Sequence, residues 1–196
     1  DAAAMSRSLS RSVLASTFAR SFLVQGSWNY RTMLGSGFAF AMLPALRSLF
    51  GGEEERMDAA VARHLEHFNA HPYLANVALG AVIRLEADGA DEVTVRRFKE
   101  VVRGPLGSLG DALVWATWLP GIAVMALALH WFGLPSWVSA LAFVVIYNVG
   151  HIGLRVWGFR AGLESGRDIG LRLQSANLAG WTARLQPVAV GVLGVL

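Results

Sequence analysis

Polar and apolar positions divide this chain unevenly. From Ala112 through Leu154 there is no Asp, Glu, Lys or Arg, and Gly133-Leu134-Pro135-Ser136 splits the run near its middle. An apolar helix of about 20 residues crosses the hydrocarbon of a bilayer. The pattern therefore predicts two spans joined by a turn, a transmembrane helical hairpin over 104–155 that is entered through Gly104-Pro105-Leu106-Gly107-Ser108-Leu109-Gly110-Asp111. Other apolar runs are too short to span. Thr32 to Leu46 would make about 22 Å of helix against a core of about 30 Å. It contains Gly35, Gly37 and Pro44 and has arginine at both ends. It is predicted to enter and return on one side as a re-entrant hairpin, with a buried helix as the alternative. Pro72 to Ile83 is another short run, and Leu185 to Leu196 begins a third apolar run that stops inside what looks like a span, expected to be either truncated or held in the interface.

The intervening segments have their own periods. Asp1-Ala2-Ala3-Ala4 ahead of Met5 reads as an upstream extension or an expression remnant. From Met5 to Phe22 the chain is Arg- and Ser-rich without an acid, a composition shared with transit peptides. Leu9, Val13, Phe18 and Phe22 are apolar while Arg7, Arg11 and Arg20 can reach headgroups, which predicts an amphipathic helix over Leu9 to Phe22 on the cytoplasmic surface. Gly51-Gly52-Glu53-Glu54-Glu55-Arg56 reads as a polar hinge. Met57, Ala60, Val61, His64, Leu65 and Phe68 fall on one helical face, and the helix is expected to end at Asn69, ahead of His71-Pro72. Glu86 to Lys99 reads as an exposed charged linker, and Arg155 to Arg184 as a cytoplasmic helix in which Gly162, Gly166 and Gly170 allow close packing. The resulting division is 1–31, an amphipathic arm; 32–103, short and re-entrant helices around a hinge; 104–155, the hairpin; and 156–196, a helix and an incomplete span. The fold class is an all-α integral membrane protein.

Charge then orients the hairpin. Arg96, Arg97, Lys99 and Arg103 precede it, Arg155, Arg160, Arg167 and Arg172 follow it, and its turn is uncharged. The positive-inside tendency puts both flanks in the cytoplasm and Pro135 outside. Trp131, Phe132 and Trp137 gather at the outer turn, and Trp115, Trp118, Tyr147 and Trp157 toward the inner ends, where rings favour the headgroup level. Composition agrees, with 54% hydrophobic and 16% charged residues in 196. The absence of cysteine excludes disulfides, thiolate chemistry and sulfur-ligated zinc. A net charge of +3 without a nucleic-acid-binding module points to membrane topology, not to nucleic acid.

Candidate chemistry is sparse. Asp111, after a Gly/Pro turn, reads as an N-cap accepting from the N–H of Leu113 or Val114, and also as an acid at the mouth of a membrane helix. His64, His67 and His71 have a spacing that invites a metal, but Pro72 takes His71 off the helix and no metalloprotease pattern accompanies them. They are expected to be polar groups aimed into a cavity. Asn148 and His151 lie about one turn apart on the second span and can bond neighbouring helices. There is no nucleophile elbow, P-loop or GxGxxG, so catalysis by the chain alone is not expected, and neither a cofactor nor a metal is implied.

Three stretches together resemble the IID component of the mannose-family (mannose/fructose/sorbose) sugar phosphotransferase system. They are Ser21-Phe22-Leu23-Val24-Gln25-Gly26-Ser27-Trp28-Asn29-Tyr30 with Gly37-Phe38-Ala39-Phe40-Ala41-Met42-Leu43-Pro44-Ala45-Leu46; His64-Leu65-Glu66-His67-Phe68-Asn69-Ala70-His71-Pro72-Tyr73; and Gly104 to Ala112 followed by Tyr147-Asn148-Val149-Gly150-His151. The resemblance implies a multi-pass subunit in the bacterial inner membrane. It would pair with a IIC membrane subunit as a hetero-oligomer among membrane lipids, while cytoplasmic IIA and IIB carry the phosphate that traps the sugar, a mannose-type hexose or amino sugar. It also implies that the sugar site lies where IIC and IID meet, lined by Asn69, His71 and Asp111, with Gln25 and Asn29 as further positions. Trp115 is a ring that could cover an apolar sugar face. Gly150 stands where such chains commonly have proline, which suggests a looser helix end before His151. The rival expectations are a non-transporting scaffold or regulatory subunit of the same fold, and a stand-alone channel.

Overall fold

The computed structural model describes residues 9–193, and its regular elements are helices. The expectations on Asp1 to Ala4 and Arg7, and on the last residues of the C-terminal apolar run, lie outside the described residues. Helix α1 (Arg11–Ser21) is capped by Ser10, whose Oγ accepts from the Val13 N–H at 3.3 Å. Leu9, Val13, Leu14 and Phe18 pack on the protein core, so the apolar stripe assigned to a membrane surface covers helix α2 (Gly35–Phe50) instead.

Thr32 to Leu46 is not a re-entrant hairpin. It lies largely in α2, one continuous and mostly buried helix, as the alternative held. Pro44 deprives the Phe40 carbonyl of its usual donor, and the Arg20 guanidinium replaces it, 3.5 Å from that oxygen and 4.8 Å from the Phe40 ring centroid. Gly35 and Gly37 serve close approach, since a Cβ on either would strike the backbone oxygens of Glu66 and Val24 respectively. The turn at Gly51-Gly52-Glu53 matches the predicted hinge and leads to α3 (Glu54–Leu65), with Glu54 and Glu55 on its positive N-terminal end. This helix ends earlier than its apolar pattern predicts. From Glu66 the chain is extended and Phe68 bonds back to the α1–α2 connection, Leu34 N–H to Phe68 O at 2.9 Å and Phe68 N–H to Thr32 O at 3.2 Å.

Helix α4 (Ala75–Ala87) forms the centre, with every residue buried except Arg84 and Ala87. Its last turn includes Glu86, read from sequence as the start of an exposed linker. Glu86 is 4% exposed because Arg63 and His64 of α3 close over it. After a turn at Gly89, φ +74°, α5 (Glu92–Gly110) begins at Asp91, which accepts from the Thr94 N–H at 2.8 Å. The Gly104-Pro105 stretch does not open a span as predicted but lies inside this helix. An interior proline costs one hydrogen bond, and the helix continues through it. A π-helical stretch (Asp111–Trp118) and α6 (Leu119–Trp131) carry the helix on, for 40 residues from Glu92 to Trp131.

The turn falls at the predicted tetrapeptide, with Gly133 at φ +95°, and α7 (Ser136–Ser165) returns antiparallel beside α6. Glu92–Trp131 and Ser136–Arg184 are both long and apolar enough to cross a membrane, and only 22% and 6% of their most apolar windows are buried within the protein. Their apolar faces point outward, as in a bilayer and unlike the core helices of a soluble domain. Helix α7 makes its main contact with α4. The predicted glycine seam is displaced: Gly158 and Gly162 lie against Val77, Gly80 and Ala81, whereas Gly166 is the φ +51° residue ending α7 and a Cβ on Gly170 would meet no atom among the described residues. A Cβ at Gly162 would overlap the Val77 carbonyl and come within 2.6 Å of the Ala81 nitrogen. Gly162→Ala is therefore expected to cost about 1–3 kcal/mol through forced separation of two helices. A detergent thermal melt checks this, and an unchanged melting temperature would mean the helices slide freely. A 3₁₀ turn (Gly166–Asp168), α8 (Ile169–Ala176) and α9 (Leu178–Leu193) complete the described chain, with Asn177 in a left-handed conformation between the last two.

Candidate functional site

The loop between α3 and α4 lies along the C-terminal half of α5. Gly107 approaches the Ala70 Cα, and a Cβ on Gly110 would overlap the His71 ring. The helix next adopts π register, in which the Leu119 N–H reaches the Val114 carbonyl and the Thr117 hydroxyl donates to Ala112 O at 2.8 Å. Stretches of π-helix re-aim side chains and concentrate at functional sites. Here the wide turn presents Asp111 and Trp115 on the exposed side, with Trp115 edge-on to His71 at 5.0 Å between centroids. Asp111 thus lies within a continuous helix and does not act as the N-cap predicted for it.

The structure brings His71 beside Asp111 and Trp115, and Asn69 is exposed on the same loop. His71 is 2% exposed; its Nδ1 accepts from the backbone N–H of Tyr73 at 3.2 Å, and its Nε2 has no partner among the described residues. That geometry requires a neutral ring with the proton on Nε2. Burial lowers the ring to about 4, with Asp111 opposing this and Arg155 and His151 reinforcing it.

Asn29 stands apart. Its Oδ1 accepts from the N–H groups of Arg31 and Thr32, and its Nδ2 donates to Ser27 O and Thr32 Oγ1, so its amide organises a turn. That turn pairs with Phe68, the residue before Asn69. Gln25 is exposed on the same connection.

The three clustered histidines go to different partners rather than to a common cavity or metal. His64 bonds Glu86, His67 bonds Arg103 at 3.0 Å, and His71 faces α5.

Behind His71 is an aromatic and polar cluster that sequence reasoning did not assemble. The Tyr73 and Tyr147 hydroxyls are 2.6 Å apart, and the Tyr73 ring stacks on His151 at 3.9 Å. Arg155 Nε donates to His151 Nε2 at 2.8 Å, while its Nη1 donates to Ser21 O at 3.0 Å and Asn76 Oδ1 at 3.3 Å. Tyr147, His151 and Arg155 recur every fourth residue on one face of α7, the signal that could have found them. Asn148 instead bonds the Val144 carbonyl of its own helix. Gly150 lets the Trp118 indole lie against α7, where a Cβ would come within 2.6 Å of the ring. An apolar cleft of about 550 Å³, lined by residues that include Tyr73, Val114, Trp118, His151 and Trp157, opens beside this cluster.

The family model for the IID component of the mannose/fructose/sorbose phosphotransferase system matches residues 8–196. The chain belongs to this family. It is 33% identical, over 97% of its length and 68% of the relative's, to the mannose-specific EIID component of Escherichia coli K12. Over 93% of its length and 68% of the relative's it is 30% identical to the sorbose-specific EIID component of Klebsiella pneumoniae. The corresponding figures for the fructose permease IID component of Bacillus subtilis are 27%, 96% and 69%. Its fold is similar to a chain in a cryo-EM structure of the mannose transporter ManYZ in complex with a microcin, with TM-score 0.75 and 31% identity over 96% of this chain and 70% of that one. A second solved membrane protein superposes with TM-score 0.84 at 31% identity, covering 97% and 71% of the two chains. The IID chain is a membrane component of a sugar phosphotransferase-system transporter.

Proposed function

We propose that this IID chain pairs with a IIC subunit in the bacterial inner membrane and supplies one wall of the sugar site, using Asn69, His71 and Asp111, with Trp115 covering an apolar sugar face. The observation that carries this reading is the π-helical stretch, which sets Asp111 and Trp115 beside the buried His71. An exposed carboxylate and amide can accept from and donate to sugar hydroxyls, and an indole can stack on the ring's C–H face. Gln25 stands farther out on the α1–α2 connection, and the bonds made by Asn29 suit it to shaping the wall more than to touching sugar.

The chain itself carries out no chemistry in this scheme. A mannose-type hexose or amino sugar passes between IID and IIC, and phosphate arrives from IIA and IIB. The test is uptake and phosphorylation in vesicles holding both membrane chains and the soluble phospho-carriers, against mannose, glucose, fructose, sorbose and amino sugars. Uptake that requires both membrane chains is the expected result. A stable complex that takes up none of these sugars would overturn it in favour of a scaffold.

A further inference from the structure

The apolar cleft of about 550 Å³ lies between segments long and apolar enough to span a membrane. It is lined by Val114 and Trp118 of the π-helical stretch, Leu154 and Trp157 of α7, and Leu178 of α9. Val149 and Ile152, on α7 near the cleft, are exposed, so its apolar surface continues onto the face that meets lipid tails. The volume falls within the roughly 300–1,000 Å³ of small-molecule sites.

The polar groups at the cleft are left with donors to spare. Arg155 Nε donates to His151 Nε2, so His151 is neutral with its proton on Nδ1, and that N–H has no partner among the described residues. The Tyr73 and Tyr147 hydroxyls share one hydrogen bond, which leaves one of their two O–H groups unused. The Trp118 Nε1–H, beside Gly150, also lacks an acceptor among the described residues. Behind His151, Arg155 is 3% exposed and bonds only neutral acceptors among the described residues: His151 Nε2, Ser21 O and Asn76 Oδ1. Its guanidinium lies over the Phe22 ring at 4.8 Å and the Tyr73 ring at 4.9 Å. A buried cation without a counter-charge is costly, and an anion at this end of the cleft offsets that cost.

We propose that this cleft binds an anionic phospholipid, with one acyl chain between Trp118, Leu154 and Trp157 and the phosphate accepting from His151 Nδ1–H, while Arg155 supplies the charge from behind. Basic pockets between membrane helices on the cytoplasmic side take such headgroups. Arg160, Arg167 and Arg172, exposed farther along the chain, put this end of α7 on the side read as cytoplasmic. The apolar walls select a lipid over a free phosphate, which would leave them uncovered. Gly153 also lines the cleft, and a Cβ there meets no atom within 4 Å among the described residues, so a larger side chain can fill the cleft without straining α7. The site is separate from the proposed sugar wall and does not depend on it.

Native mass spectrometry of the full chain, assembled with its IIC partner and released from vesicles of phosphatidylethanolamine and phosphatidylglycerol in equal parts, reads the lipid that stays bound. Phosphatidylglycerol is expected to be enriched about fivefold over phosphatidylethanolamine, the scale of one basic residue facing an anionic headgroup. Arg155→Gln should abolish that enrichment, and Gly153→Phe should remove the bound lipid itself. Gly153→Phe disturbs no buried contact and carries the test if Arg155→Gln does not assemble. Glycerol phosphate, which has the headgroup chemistry without the tail, should leave retention unchanged; displacement by it would overturn the placement of a chain in the cleft. Equal retention of the two lipids by the unmodified complex, or the same enrichment in Gly153→Phe, overturns the proposal. So does a complex that retains no lipid, which would assign the cleft to the partner subunit.

Discussion

Asp111→Asn is expected to reduce sugar uptake by about 10- to 100-fold, the scale of a hydrogen bond to a charged group, while membrane insertion and assembly with the partner persist. The second half of this expectation follows from how little the carboxylate does within the chain. It is exposed, it sits in the interior of a continuous helix, and no ion pair or hydrogen bond of its side chain is seen among the described residues. Removing it leaves no buried group unpaired, so the fold has little to lose. A carboxylate on a membrane helix is nonetheless costly unless it faces a cavity, a pore or a partner, and its position beside His71 and Trp115 supplies such a use. Asn69→Ala should act in the same direction with a smaller effect, near that of a neutral hydrogen bond. Uptake kinetics paired with a pull-down of the partner separate the outcomes: loss of the complex instead of loss of uptake would make both residues part of the interface.

The hairpin was legible because its signal is compositional. A long uncharged run divided by Gly and Pro leaves few alternatives, and the turn formed at Gly133-Leu134-Pro135 as expected. The adjoining segments were harder because tertiary contacts override local signals there. Pro44 looks like a breaker until Arg20 supplies the donor it removes. Glu86 looks like a linker acid because its partners Arg63 and His64 are more than 20 residues away in the chain. Pro105 and the glycines around it suggest a turn, but the His71 ring packs where a Cβ of Gly110 would have stood, so that glycine marks a close approach inside a helix. At the site, the resemblance named Asn69, His71 and Asp111, yet nothing in the residue pattern foretold the π register that brings Asp111 and Trp115 to His71. Arg155 was read as one more basic flank. Its burial depends on Ser21, Asn76 and His151, which converge from three helices.

The larger stability effect should come from Glu86. Arg63 donates to it twice, Nε at 2.8 Å and Nη2 at 2.6 Å, and His64 Nε2 lies 2.9 Å from Oε1. Lys99 closes the group by donating to the Arg63 carbonyl at 2.6 Å. Glu86→Ala leaves a buried guanidinium with no counter-charge and is expected to cost about 3–5 kcal/mol, whereas Glu86→Gln, which retains an acceptor, should cost less. Thermal unfolding of the purified chain in detergent checks this. A loss under about 1 kcal/mol, the range of exposed pairs, would mean that water reaches Arg63. Acidification should act on the same group in two stages. Burial, the strongest influence, holds the His64 ring below its ordinary 6.5. The unfolded chain therefore takes up a proton that the folded one refuses, and stability falls as pH drops through about 6.5. For Glu86, burial alone would raise the carboxyl, but the hydrogen bonds from His64 and Arg63 outweigh it and hold the group below 4.5. Its contribution is complete above that pH and is lost as pH falls further. In Glu86→Gln the lower stage should disappear while the upper one remains. Persistence of the lower stage in that variant would assign it to another carboxylate.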